Sequence, residues 1–136
     1  MMHLVIDSRL QEIERATALV EAFSERHGLA PMDSHALCVV LDELISNAIR
    51  HGLGGAAGHP INLALDRAGD EVTVEIEHDG VAFDPTSAPA PVLATTLAER
   101  KPGGVGIAFV RKLTDSFEYQ RVGEKNRIRL RRRLTP

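Results

Sequence analysis

Glu43 and Asn47 lie four residues apart in the stretch Leu41 to Gly52, LDELISNAIRHG. In a helix that spacing puts a carboxylate and an amide one turn apart on one face. An amide oxygen is a neutral ligand suited to a hard cation such as Mg²⁺. A neighbouring carboxylate can take a proton from water or a hydroxyl as general base. Glu and Asn are also common on solvated helix edges, so the pair alone is compatible with no chemistry at all.

Two further stretches carry chemistry of a different kind. EHDGVAFDP, Glu77 to Pro85, follows an alternating segment directly, and Gly80 lets the backbone turn sharply and approach a ligand. The bland alternative is a strand-ending turn. KPGGVGIAFVRKL, Lys101 to Leu113, opens a helical pattern with Gly103, Gly104 and Gly106. Exposed N–H groups at such a helix entry suit phosphate, and a loop hinge is the alternative.

The elements that must hold these residues follow from periodicity. His3 to Ile6 reads as a short edge strand. Ser8 to His27 reads as a helix, with Leu10, Ile13, Thr17, Val20 and Phe23 as its stripe, Ser8 and Gln11 as a capping box and Gly28 as its stop. Pro31 to Leu53 reads as a second helix starting at Pro31, or slightly later with Asp33 and Ser34 as caps. Its apolar face is Leu37, Val40, Leu41, Leu44, Ile45 and Ala48, and GLGGAAGH ends it in a flexible loop.

Ile61 to Asp66 alternates as a strand, RAGD turns, and Val72, Val74 and Ile76 alternate in a second strand that pairs with it antiparallel. Pro85 to Gly104 is rich in Pro and small residues and reads as a loop with one short helix near Leu93 to Arg100. Gly106 to Asp115 is a third helix. Phe117 to Arg121 and Arg127 to Leu134 close the chain as two strands joined at VGEKN. This order predicts a two-layer α/β sandwich, a mixed, mostly antiparallel sheet with helices on one face, as one domain over residues 1–136.

Composition narrows the function classes. The 136 residues are 43% hydrophobic and 26% charged with net charge −3, ordinary for a soluble domain. No stretch approaches the roughly 20 apolar residues of a membrane span, and no signal peptide is visible. The one cysteine, Cys38, reads as a small core residue. These features predict a cytoplasmic protein. The six His show no zinc spacing. Arg127, Arg129 and Arg131 fall on one strand face without interleaved aromatic residues, which predicts a solvated outer face and no direct nucleic-acid contact.

In order and separation the three stretches resemble the N, G1 and G2 boxes of the GHKL ATPase superfamily, which has the Bergerat, or histidine-kinase-like, ATP-binding fold. The similarity is closest to the small bacterial anti-sigma factor serine/threonine kinases, through LDELISNAIRHG, DGVAFDP, GGVGIAFVRKLTD and the closing NRIRLRRR. The resemblance implies ATP and Mg²⁺, with Asn47 holding the metal against the phosphates and Glu43 as base. It implies phosphate contacts from Gly103, Gly104 and Gly106, and an ATP lid at about residues 86–102. It also implies a sigma factor and a STAS-type anti-sigma antagonist as partners, and a homodimer as an assembly of the kind common in that family.

One position departs from the pattern. The family's G1 box is Asp-x-Gly, its Asp accepting a hydrogen bond from adenine; counting back from Gly80 puts His78 there, with Asp79 between. Three outcomes stay open. Asp79 takes over, His78 binds adenine in its own way, or nucleotide affinity is weak or lost. The function reading is therefore a protein serine/threonine kinase that acts as an anti-sigma factor and phosphorylates its antagonist. The alternatives are a binding module with little catalysis, and a stand-alone ATPase subunit serving a separate phosphoacceptor protein.

Overall fold

The computed structural model describes residues 1–87 and 104–136. The elements run β1 (Met2–Asp7), α1 (Ile13–His27), α2 (Pro31–Asn47), β2 (Pro60–Ala68), β3 (Glu71–Asp79), α3 (Gly104–Leu113), β4 (Ser116–Val122) and β5 (Lys125–Arg133). The five strands form one sheet in the order β1-β2-β3-β5-β4. Antiparallel pairing was expected to predominate, and among the described residues all four pairings are antiparallel.

Strand alternation sorts the two faces. Ile61, Leu63 and Leu65 of β2, Val72, Val74 and Ile76 of β3, and Ile128 and Leu130 of β5 are buried. They form one core with Val20 and Phe23 of α1, Leu37, Leu41, Leu44 and Ile45 of α2, and Ile107 and Val110 of α3. Each such side chain contributes roughly 1.5–3 kcal/mol on leaving water. The other face is a charge ladder, with Glu77 opposite Arg127 and Glu75 opposite Arg129 in register. Arg127 lies 2.9 Å from Glu77, and Arg129 3.0 Å from Glu75. The arginine run thus stands on the outer face, with its charges matched across strands, a modest stabilisation per pair.

Local structure departs from expectation at the helix ends. Ser8 and Gln11 make no capping box. Ser8 Oγ donates to the Ala56 carbonyl at 2.7 Å and accepts from His59 N–H at 3.1 Å. The acid that reaches back is Glu12, which accepts from Asp7 N–H at 3.1 Å. A short 3₁₀ turn, Leu10–Glu12, precedes α1, and Leu10 is exposed rather than part of the stripe. Gly28 ends α1 in the left-handed region, as expected.

Pro31 is the first residue of α2. Asp33 does not cap it but is buried against Arg132, at 2.9 Å. The second helix is α-helical only to Asn47; residues Ala48–Gly52 form a π turn, a rare irregularity found often at functional sites. The loop after it, expected to be flexible, is tied to the end of β1, with Gly58 N–H donating to Asp7 at 2.8 Å. The expected short helix near Leu93 to Arg100 lies outside the described residues. No helix among the described residues is long and apolar enough to cross a membrane.

Candidate active site

The apolar face of α2 is pressed into the core, and its polar edge faces α3. Asn47, the last residue of α2, is 3% exposed, and its Oδ1 accepts no hydrogen bond. A buried acceptor without a donor is costly, so this oxygen is suited to a ligand that the protein itself does not supply. Glu43, one turn earlier, is half-buried. Burial first, then the charge of Asp42, raises its carboxyl above the ordinary range, and Arg50 opposes them. A carboxylate shifted in that direction is better matched to proton abstraction near neutral pH.

Gly106 lies closest to this carboxylate. A Cβ there would lie 1.8 Å from Glu43 Oε2 and 2.3 Å from Cδ. The opening turn of α3 therefore lies directly against the carboxylate, and only glycine allows the approach. Gly104 is the first residue of α3, so the positive end of that helix faces the Glu43 side of the site. Gly103 and most of the expected lid fall outside the described residues.

The end of β3 is stitched to the π turn. Gly80 has φ 111°, and a Cβ there would lie 2.3 Å from the Gly52 carbonyl oxygen. That oxygen accepts from Val81 N–H at 3.1 Å. His78 points inward, is 2% exposed, and packs on Gly52, where a Cβ would meet its Cε1 at 2.8 Å. His78 Nδ1 is 2.7 Å from the Asp79 carbonyl, to which it donates; Nε2 is buried and unpartnered. Asp79 points the other way, 3.3 Å from His59 Nδ1. The structure brings Glu43 to Gly106, and Gly52 to His78 and Gly80. It leaves the Asp79 carboxylate apart from them.

Four further residues, none of them singled out by spacing alone, shape this end of the sheet. Asn126, wholly buried, accepts from Phe83 N–H at 3.2 Å and Tyr119 O–H at 2.5 Å, and donates to the Val81 carbonyl at 2.9 Å. It holds the loop after Gly80 in place. Arg121 donates to the Gly80 carbonyl at 2.9 Å. His51 and Phe83 stack at 5.1 Å between ring centroids. Asn126 had a signal, since it is in phase with Ile128 and Leu130, and a polar residue on an inward row must have partners.

Among the described residues no group of three His, Cys, Asp or Glu side chains is placed to hold a metal. An open depression of about 210 Å³ lies elsewhere, lined by Glu118, Tyr119, Gln120, Arg127 and Arg129. Its arginines belong to the charge ladder, so we assign it no chemistry.

Residues 6–132 match the family described as the histidine kinase-like ATPase domain. The chain is 34% identical over 102 residues to the serine/threonine-protein kinase BtrW of Bordetella bronchiseptica, which covers 74% of this chain and 70% of that protein. Its fold is similar to the RsbU and RsbW domains of Rv1364c from Mycobacterium tuberculosis, with TM-score 0.68 at 16% identity. That match covers 98% of this chain and 31% of the other, so the chain spans about a third of that protein. It is also similar to a chain of the SiaB-SiaC complex from Pseudomonas aeruginosa, with TM-score 0.55 at 14% identity, covering 95% and 88%. The chain belongs to the histidine kinase-like ATPase domain family, the GHKL group.

Proposed function

We propose that this chain is an ATP-dependent protein serine/threonine kinase that acts as an anti-sigma factor in a partner-switching system. Its protein substrate is a STAS-type anti-sigma antagonist, and its sequestered partner a sigma factor. The observation that carries this reading is the buried, unpartnered Asn47 oxygen one turn from Glu43, whose carboxylate lies against the glycine entry of α3. The 34% identity to a serine/threonine-protein kinase supports phosphoryl transfer to a hydroxyl.

The residues fit a nucleotide with Mg²⁺. Asn47 Oδ1 would supply one neutral oxygen ligand, and phosphate and water the rest. The metal, when bound, neutralises charge on the phosphates. Gly104 and Gly106 would offer backbone N–H groups to the phosphates, as the resemblance also implies for Gly103, and the segment His78 to Gly80 would border the base. Glu43 orients the substrate serine hydroxyl and takes its proton as the oxygen bonds to the γ-phosphorus; the bond to the β-phosphate oxygen breaks and ADP leaves.

The test is transfer of radiolabelled γ-phosphate from ATP to a cognate antagonist protein, with Glu43→Ala as control. Label on an antagonist serine, lost in the variant, is expected. Undiminished transfer by Glu43→Ala removes Glu43 from the mechanism, and no transfer by the wild type removes the kinase reading.

A second reading keeps the fold as a protein-binding regulatory module with impaired nucleotide binding. It is favoured by one observation, His78 at the position where the family carries a carboxylate. Calorimetry with ATP and Mg²⁺ separates the two. Absence of heat in the wild type, restored by His78→Asp, selects the module.

A further inference from the structure

Arg111 is an exposed residue in the last turn of α3. A cation there is ordinarily explained by the negative end of the helix, and Lys112 beside it is placed for that purpose. The Arg111 side chain is used differently. Its Nη2 donates to the Thr86 carbonyl, so the bond runs from α3 to the loop that follows β3. That carbonyl belongs to a built turn. Asp84 Oδ1 accepts from Thr86 N–H at 2.8 Å and from Thr86 Oγ1 at 2.6 Å. Ser87 Oγ donates to the Asp84 carbonyl at 2.9 Å, and Pro85 between them is buried.

The two ends of this bond lead to opposite sides of the candidate site. On the loop side, Val81 N–H is bonded to the Gly52 carbonyl, and Asn126 holds both Val81 and Phe83. The loop is thus anchored from the π turn onward. On the helix side, Gly106 presses on Glu43, five residues before Arg111. Five residues rise about 7.5 Å and turn about 140° around the helix axis. Glu43 and Thr86 therefore hold α3 on different faces. A helix held on one face can pivot about that contact; a second hold on another face removes the freedom.

We infer that Arg111 is a positioning residue: by bonding the Thr86 carbonyl it fixes the first turn of α3, and with it the Glu43 carboxylate, relative to the loop after Gly80. This rests on the kinase reading above and deepens it. Under that reading the loop borders the base, α3 borders the phosphates, and Glu43 receives the proton. The bond then sets the span between the two ends of the nucleotide. A guanidinium suits this use, since its planar fork is directional where an ammonium is a point charge. An exposed hydrogen bond exchanges water for protein and adds little to global stability, so its value lies in geometry.

The test measures single-turnover transfer from ATP to the antagonist protein, and ATP affinity with Mg²⁺, in Arg111→Met, Asp84→Ala and the double variant. Methionine keeps an aliphatic stem and removes the donor; Asp84→Ala releases the turn that presents the carbonyl. Loop and helix each still meet their own end of the nucleotide, so the dissociation constant should stay close to that of the wild type. The transfer rate should fall by roughly 10- to 100-fold, as expected for a small misplacement of the reacting groups. The double variant should lose no more than the weaker single variant, because both changes act through one bond. Melting temperatures without ligand should match the wild type. A loss that fades at high salt, or that multiplies with the loss in Asp84→Ala, would assign the effect to charge and overturn the proposal. An undiminished rate in Arg111→Met beside an active wild type would overturn it too, as would a loss matched by a lower melting temperature. No transfer by the wild type would instead overturn the kinase reading, and the positioning role with it.

Discussion

The Glu43 carboxylate occupies the space that a side chain at position 106 would fill, with Oε2 only 1.8 Å from the point where a Cβ would stand. The two residues are 63 positions apart in sequence, yet the proposed base and the glycine-opened helix share one contact surface. Movement of α3 is therefore transmitted directly to the carboxylate.

Gly106→Ala should separate chemistry from folding. Neither partner can absorb such an overlap without shifting, so either the carboxylate rotates or α3 lifts away. A displacement of about 1 Å in a catalytic group can cost on the order of 100-fold in rate. We expect a loss of that order in single-turnover transfer, with an unchanged far-ultraviolet circular dichroism spectrum. Wild-type rates in the alanine variant would show that the contact has no part in catalysis.

Glu43 must be deprotonated to act as base, so its titration should appear in the rate. Burial and Asp42 raise its value, and Arg50 lowers it. The rate of phosphoryl transfer should rise with pH, with a midpoint above the roughly 4.3 of an ordinary Glu, and then level off. Arg50→Ala removes the opposing charge, so the midpoint should move further up. A midpoint moving down in that variant would contradict the electrostatics of the site.

Much of this was legible in sequence, and the failures have particular causes. The alternation of Ile61, Leu63 and Leu65 and of Val72, Val74 and Ile76 gave the inward rows, because a half-buried strand must alternate. The same period places His78 inward with Val72, and Asn126 inward with Ile128, though polarity masked both. The Ser8 capping box failed because tertiary partners, Ala56 and His59, took the hydroxyl. The helical pattern continues to Leu53 because a π turn keeps the apolar pattern of a helix while changing its hydrogen bonds. The approach of Gly106 to Glu43 has no local signature at all, since it depends on how α3 packs.

Asp33 and Arg132 provide a stability test remote from the chemistry. Arg132 donates to Asp33 at 2.9 Å and to the Leu113 carbonyl at 2.8 Å, and Thr135 Oγ1 also donates to Asp33 at 2.9 Å. Burial alone would raise the Asp33 carboxyl, but the hydrogen bonds of Thr135 and Arg132 outweigh it and hold it low. Asp33→Ala leaves the partly buried Arg132 guanidinium without its counter-charge, bonded only to the Leu113 carbonyl, and should lower stability in urea unfolding by up to about 3 kcal/mol. Because the folded-state value is depressed, the Asp33 contribution is complete above the ordinary Asp range of about 3.9. It is lost as pH falls through the lower folded-state value. The stability difference between wild type and Asp33→Ala should therefore shrink only in strong acid; a difference that vanished near pH 6 would point to another group.

Asn47 should show the opposite relation between stability and function. Its Oδ1 is buried without a donor, which costs roughly 1–3 kcal/mol in the ligand-free fold. Leucine has the same number of side-chain heavy atoms in the same branched arrangement and no polar atom to satisfy. Asn47→Leu should therefore leave the ligand-free protein at least as stable as wild type, with a melting temperature equal or a few degrees higher. The same change removes the oxygen proposed to hold Mg²⁺, so the stabilisation that ATP and Mg²⁺ give the wild type by mass action should disappear. Thermal melts with and without nucleotide measure both effects in one experiment. A variant that melts several degrees lower without ligand would show that Asn47 is held for structure; one that still gains from ATP and Mg²⁺ would move the metal site elsewhere. A residue retained against the stability of the empty fold is best explained by what the filled site requires of it.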